Sequence, residues 1–436
     1  MDSGGSLGDS LSPRQRRQAV AAVTLGNGLE FYDFLTYAFF AIQIGAAFFP
    51  SESRYLSLMG SLAAFGAGFI TRPLGAYILG GYADRVGRKP AMLISMMLMG
   101  TGILLLVLTP SYASIGYAAP ALAIIARLIQ GFALGGEVGS ASVFMLESAQ
   151  THRRAYAMSW QSASQNIAAI VGSLVGLTLS LLLAPDQLAS FGWRIALGLG
   201  ATIVPVALYM RKRLPETFEA PTQGSAGRTP LAPYIRPIAC GFAIIASGTI
   251  SSYVFIYMAT YAQHSLGLSS SIAFAGETLN ASSQLLAVLA GGVLADRIGR
   301  RPVMIWAQVL FCLSIMPCFW WITRGGGATA FYFANFYLAA VSACYFGAVY
   351  ALIAESLPPQ VRGRVFALVY AVPVAVFGGT TQLQVTWLLE VTGEPVALGW
   401  YLTATAVVGL VAAVFARESA PQHVARQELA VSPLPA

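Results

Sequence analysis

Ala83-Asp84-Arg85-Val86-Gly87-Arg88-Lys89-Pro90 recurs 212 residues later as Ala295-Asp296-Arg297-Ile298-Gly299-Arg300-Arg301-Pro302. In each copy a glycine, Gly80 or Gly292, stands four residues before the aspartate, and each copy separates two long apolar runs. A second echo pairs Glu147-Ser148, followed by Arg153 and Arg154, with Glu355-Ser356, followed by Arg362 and Arg364. Punctuation repeated at one period marks a duplicated chain whose halves share an architecture.

The material between these turns is membrane-like. Of 436 residues, 56% are hydrophobic and 10% charged, against roughly 25% charged in soluble domains. Mean hydropathy is +0.67. Apolar runs long enough to cross a ~30 Å hydrocarbon core recur along the chain. In lipid each such run must satisfy its own backbone, so helices are expected. Twelve segments result: 19–49, 55–82, 90–109, 116–146, 155–184, 193–211, 236–263, 270–294, 302–323, 329–354, 364–391 and 397–416. The expected fold class is an all-α membrane protein, with twelve transmembrane helices in two pseudo-symmetric six-helix bundles. No small-residue cleavage site follows the first run, which therefore reads as a retained span.

Charge sets the orientation. With the N-terminus in the cytoplasm, twenty of the 25 Lys and Arg residues fall on the cytoplasmic side. Arg54, Arg194 and Arg324 fall outside, and Arg72 and Arg127 lie within spans. That asymmetry follows the positive-inside rule and puts both termini in the cytoplasm. It also accounts for the net charge of +7 without nucleic acid, since the basic residues are scattered over short turns. A Pro-rich connection, 212–235, reads as a linker. The expected organisation is a cytoplasmic tail (1–18), a first bundle (19–211), the linker, a second bundle (236–416) and a cytoplasmic tail (417–436). Cys240, Cys312, Cys318 and Cys344 lie in apolar segments with no zinc spacing and read as packing residues.

The repeated Gly-…-Asp-Arg-x-Gly-Arg-Lys/Arg turn resembles the loop motif of the major facilitator superfamily, and it stands between the second and third spans of each half. Arg127, Gln130, Gly131, Gly135, Gly136 and Glu137 are similar to that superfamily's arginine-glycine motif in span four. Three further features resemble its metabolite:proton symporter family. They are Gly26-Asn27 with Glu30 and Tyr32-Asp33-Phe34, then Arg72-Pro73-Leu74-Gly75, and finally Phe377-Gly378-Gly379-Thr380-Thr381. The Ser159–Gln165 stretch and the short termini look most like the citrate and tricarballylate branch. The resemblance implies a secondary active transporter in the inner membrane that moves a small organic acid with protons by alternating access. Uptake of proline or glycine betaine, or of shikimate, is the alternative it leaves, and an uncoupled facilitator is more remote.

Charge within a span costs about 2.5–3.5 kcal/mol on insertion scales and needs a reason. Glu30, Asp33, Arg72, Arg127, Glu137 and Glu277 are such residues. Buried carboxylates that outnumber their cations take up protons, which makes Asp33, Glu137 and Glu30 candidates for proton coupling. A planar guanidinium suits a substrate carboxylate, so Arg127 is the expected anchor. Its alternative role is neutralising Asp33 or Glu137. Arg72 precedes Pro73 and is expected to form a structural salt bridge at a kink. Asn27, Tyr37, Gln161, Gln165, Tyr257, Asn335 and Gln382 are candidate cavity residues, with ordinary interhelical bonding as the plainer role. In the repeated turns, Gly80, Asp84, Arg85, Gly87 and Arg88, with Gly292, Asp296, Arg297, Gly299 and Arg300, are expected to gate the cytoplasmic side.

Several functions are excluded. Lys89 and Lys212 are followed by Pro90 and Arg213, so no Walker loop exists, and no histidine is followed by Glu as a zinc protease needs. No cofactor, metal or catalytic residue is expected. The expected partners are the organic-acid substrate, the proton and the lipid bilayer, with a monomer sufficient.

Overall fold

A computed structural model describes residues 13–86, 88–135, 145–146, 149–205, 232–358 and 362–422. The first half contains α1 (Pro13–Phe39), α2 (Ala41–Phe48), α3 (Arg54–Ile70), α4 (Arg72–Val86), α5 (Arg88–Leu108), α6 (Ala118–Leu134), α7 (Arg154–Leu182) and α8 (Trp193–Gly200). The second contains α9 (Ile235–His264), α10 (Ser270–Ile298), α11 (Arg300–Thr323), α12 (Gly327–Glu355), α13 (Arg362–Pro373), α14 (Gly379–Thr392) and α15 (Ala397–Phe415). Among the described residues nine helices are long and apolar enough to cross a membrane, and the bent pair α1–α2 makes a tenth. The shorter apolar helices Leu93–Leu108 and Ala118–Leu134 bring the count to the twelve expected segments.

Glycines set how closely the helices approach. A Cβ on Gly131 would collide with the carbonyl of Gly68, and one on Gly135 with the carbonyl of Arg72. α6 therefore lies against α3 and α4 with backbones nearly touching, as small residues permit where no hydrophobic effect drives association. The same device stands in the second half. Gly347 follows Gly135 by the repeat distance of 212 residues and presses α12 against Val288 and Gly292 of α10.

Within the first half α7 packs on α1, and α6 on α3 and α5; within the second, α12 packs on α10 and α11, and α15 on α9 and α11. The halves meet through α7 on α10, α3 on α14 and α1 on α9. Near the start of α10, Phe274 stacks on Phe40 at 5.0 Å and fills the space a Cβ on Gly176 would need.

Three segments depart from expectation. The first span is not one rod: Asn27–Phe39 and Ala41–Phe48 meet at 69°. The Thr36 hydroxyl donates to the Tyr32 carbonyl at 2.7 Å just before the bend, a contact that competes with the helix ladder. Span six begins at Pro185 rather than at 193, because the Pro185 ring suits a first helical turn. Arg194 then lies inside it, donating to the carbonyls of Val107 and Thr109 at the end of α5. Span eleven is interrupted by a π-helical stretch, Val374–Gly378, immediately after Pro373, whose missing N–H breaks the regular ladder.

Candidate functional site

The centre of the first half is a cluster of cations and aromatic rings. α6, held close by Gly131 and Gly135, presents Arg127, which is 1% exposed. Its guanidinium lies 4.5 Å from the ring centre of Tyr37, 5.1 Å from Phe34 and 5.2 Å from Phe65. Nη1 donates to Gln130 Oε1 at 2.6 Å and stands 3.8 Å from an Asp33 carboxylate oxygen. That is a loose ion pair. Neither Asp33 oxygen has a hydrogen-bond partner, although Asp33 is also 1% exposed.

A second guanidinium also lies over Phe34. Arg72 lies 4.6 Å from the Phe34 ring centre and 4.0 Å from that of Phe69. Phe65, Phe69 and Tyr253 complete the aromatic wall, with ring centres 4.7–6.3 Å apart around Phe34. Among the described residues two cations here face one carboxylate, an arrangement that favours an anion.

Arg72 stands at the break between α3 and α4. The expected interruption is present, since α3 ends at Ile70 and α4 starts at Arg72. A salt bridge to Arg72 is not seen among the described residues, which do not include Glu137, and its Nε and Nη2 atoms have no hydrogen-bond partner. Arg72 instead lines a cavity of about 60 Å³ between the halves, with Gln165, Tyr253, Tyr350 and Tyr370 among its neighbours.

The other candidates are dispersed. Asn27 and Gln161 bind one another: Asn27 donates to Ser164 at 2.6 Å, and Gln161 donates back to Asn27 at 3.2 Å. This seam joins α1 to α7. The Tyr37 hydroxyl donates to the Ser61 carbonyl at 3.1 Å. In the second half Asn335 accepts from Asn280 at 3.2 Å, and Tyr257 accepts from Thr386 at 3.0 Å. Gln382, one turn before Thr386, is buried with both amide atoms unpartnered. Gln165 lines the cavity with Nε2 unpartnered. Glu30 is buried on α1, where it accepts from Ser95 at 3.4 Å. Glu277 of α10 is buried, with Oε2 unpartnered. Glu137 lies outside the described residues.

Of the two repeated turns, the second is described in full. Asp296 accepts from the backbone N–H groups of Ala155 and Tyr156, both at 3.0 Å. These open α7, so a carboxylate of one half caps a helix of the other, where the helix dipole favours negative charge. Arg300 forks onto both oxygens of Glu355 at 3.0 and 3.1 Å and lies 3.2 Å from Asp296. That pairing explains why Glu355 recurs in the second echo. Gly299 adopts φ +104°, and a Cβ there would meet Glu418, which accepts from the Arg300 and Arg301 backbone N–H groups. Glu418 was not singled out from sequence, because nothing local marks a carboxylate after the last span as a cap for α11. Arg297 is exposed. In the first turn, Gly87 and the side chains of Asp84, Arg85 and Arg88 lie outside the described residues, as does the packing around Gly80.

Twelve apolar helical segments in two repeated halves, a charged cluster buried at mid-span and a cavity between the halves define a membrane carrier. Residues 19–219 match the family described as "Sugar (and other) transporter", and residues 278–434 match "Major Facilitator Superfamily". A citrate-proton symporter of Salmonella typhi is 37% identical over 402 residues, covering 90% of this chain and 92% of the relative. An alpha-ketoglutarate permease of Escherichia coli is 32% identical, covering 92% of this chain and 93% of the relative. The crystal structure of a D-xylose-proton symporter superposes with a TM-score of 0.72 at 17% identity, over 92% of this chain and 97% of that one. The chain belongs to the major facilitator superfamily and groups there with metabolite:proton symporters. It is a multi-pass membrane transporter, not an enzyme.

Proposed function

We propose that this carrier imports a small organic acid, a di- or tricarboxylate such as citrate or 2-oxoglutarate, together with protons. The observation that carries the reading is the loose Asp33–Arg127 pair inside an aromatic wall, 3.8 Å apart and without a hydrogen bond to either carboxylate oxygen. A proton on Asp33 cancels the attraction and releases the Arg127 guanidinium, whose fork then takes a substrate carboxylate. Loss of the proton re-forms the pair and expels the anion. Substrate and proton are thereby bound together or not at all, which is the requirement of symport. Tyr37 fixes the guanidinium from its face, while Gln161 and Gln165 on α7, with Tyr257, Asn335 and Gln382 in the second half, supply polar groups as the halves rock. Glu30 and Glu137 are further proton carriers in this scheme.

The basic end of the bundle is cytoplasmic, both termini with it, and the membrane is the inner membrane. Asp296 and Arg300 hold that end shut by capping α7 and pairing Glu355. One chain supplies both walls of the cavity, so a monomer suffices. Proteoliposomes under an imposed pH gradient, acid outside, should concentrate citrate or 2-oxoglutarate above its equilibrium level. Asp33→Asn should abolish that accumulation and keep counterflow, because the amide has the shape of the protonated acid. Accumulation that ignores the gradient in the wild type would refute coupling. If neither acid is taken up while glycine betaine is, the substrate class is wrong.

A further inference from the structure

We infer that Arg72 is a second, proton-independent anchor for a carboxylate of the transported molecule; this rests on the carrier reading above. Arg72 is 9% exposed and lines the cavity between the halves. Its guanidinium is held by the faces of Phe69 and Phe34, at 4.0 and 4.6 Å. Ring faces attract the charge but offer its in-plane N–H groups no acceptor; the Tyr253 hydroxyl engages the group, while Nε and Nη2 have no partner. A buried donor left unmade costs about 1–3 kcal/mol, more when charged. No described carboxylate offsets that cost.

The surroundings select the ligand. The residues lining the cavity include one cation, Arg72, and no carboxylate. Across from it the Nε2 of Gln165 is also unpartnered, and Tyr370 lies beside that amide. Tyr253 stands beside the guanidinium itself. A fork of charged N–H groups with an amide N–H and phenols nearby presents donors to an acceptor-rich anion.

Arg127 is the contrasting case. It is already engaged by Gln130 and Asp33. Both guanidiniums lie over Phe34, so they are at most about 10 Å apart. A short-chain molecule with a carboxylate at each end bridges them. Arg127 becomes available only when Asp33 carries a proton. Among the described residues Arg72 has no such competitor, and it therefore recruits the anion first.

The test is a cycle between protein and ligand on the full chain purified in detergent. Binding of citrate, and of citrate with one terminal carboxylate replaced by an amide, is measured for wild type, Arg72→Gln and Arg72→Lys. The wild type should lose at least tenfold in affinity for the amide. Arg72→Gln should lose at least tenfold for citrate and then discriminate little between the two ligands; Arg72→Lys should fall between. A general structural defect would weaken both ligands equally, and that outcome overturns the assignment. So does wild-type affinity in either variant. If Arg72→Gln does not fold, Arg72→Lys and Gln165→Leu carry the same cycle. If the wild type binds glycine betaine and neither citrate nor 2-oxoglutarate, the organic-acid reading fails, and Arg72 is judged by its effect on betaine affinity. If it binds no carboxylate-bearing compound, both fall.

Discussion

Single residues differ here in how completely their burial is compensated. Asp33 has a cation at 3.8 Å, and removing one partner of a buried pair typically costs about 3–5 kcal/mol. Arg127→Leu should accordingly lower thermal stability in the absence of substrate, and Asp33→Asn combined with it should restore part of the loss. A purely additive pair of effects would mean that the two side chains do not interact. Glu277 is 3% exposed, and no arginine or lysine pairs with it among the described residues. Asn280 and Gln284 follow on the same helix and bond one another, so an amide at 277 has polar neighbours and no charge to bury. Glu277→Gln should raise the melting temperature of the purified protein by a few degrees and leave counterflow intact. A variant that is less stable, or that no longer exchanges substrate, would show that the carboxylate itself is needed. Arg72 shows where reading residues alone stops. Its place before Pro73 does mark the helix interruption, as expected, because proline acts locally. Whether a carboxylate answers it depends on four other helices, and no spacing in the sequence reports that.

At the scale of elements, the legible features were those fixed by local chemistry. The turn between α10 and α11 needs an aspartate that can reach another helix end, a glycine at φ +104° and an arginine, and all three stand in the repeated motif. The α1–α2 bend at Phe40 was not legible, since no proline or glycine marks it and a hydroxyl bonding back one turn, as at Thr36, also occurs in unbroken helices, as at Thr101. Span six was misplaced because Arg194 reads as a boundary, whereas its side chain reaches the carbonyls that end α5. Gly299→Ala tests the turn. The left-handed backbone and the approach of Glu418 should make it destabilising by about 1–3 kcal/mol. Asp296→Ala tests the latch: with α7 uncapped from the opposite half, spin-label distances across the basic end should broaden toward longer values. An unchanged distribution would mean that the latch does not hold this end.

The whole molecule is a repeat with unequal halves. If the basic turns face the cytoplasm as proposed, cysteines introduced at Arg324 and Arg297, both exposed, should label from the outside and the inside of intact cells respectively. The reverse pattern would invert the topology. The division of labour between the halves is less symmetric than the repeat. Arg72, Arg127 and Asp33 all belong to the first half, while the second contributes aromatic, hydroxyl and aliphatic groups to the shared wall. Such asymmetry could not be seen in the repeated turns, which punctuate both halves alike.

The cavity beside Arg72 has a consequence for inhibition. Its volume of about 60 Å³ is that of about two water molecules at liquid density, far less than a tricarboxylate needs. Cargo can be enclosed only if the walls part around it and then close again, so flexibility in the cargo has kinetic value. A flat, rigid tricarboxylate such as benzene-1,3,5-tricarboxylate offers the same anionic ends but cannot fold its arms. It would engage the arginines, wedge the halves ajar and stall the carrier without crossing.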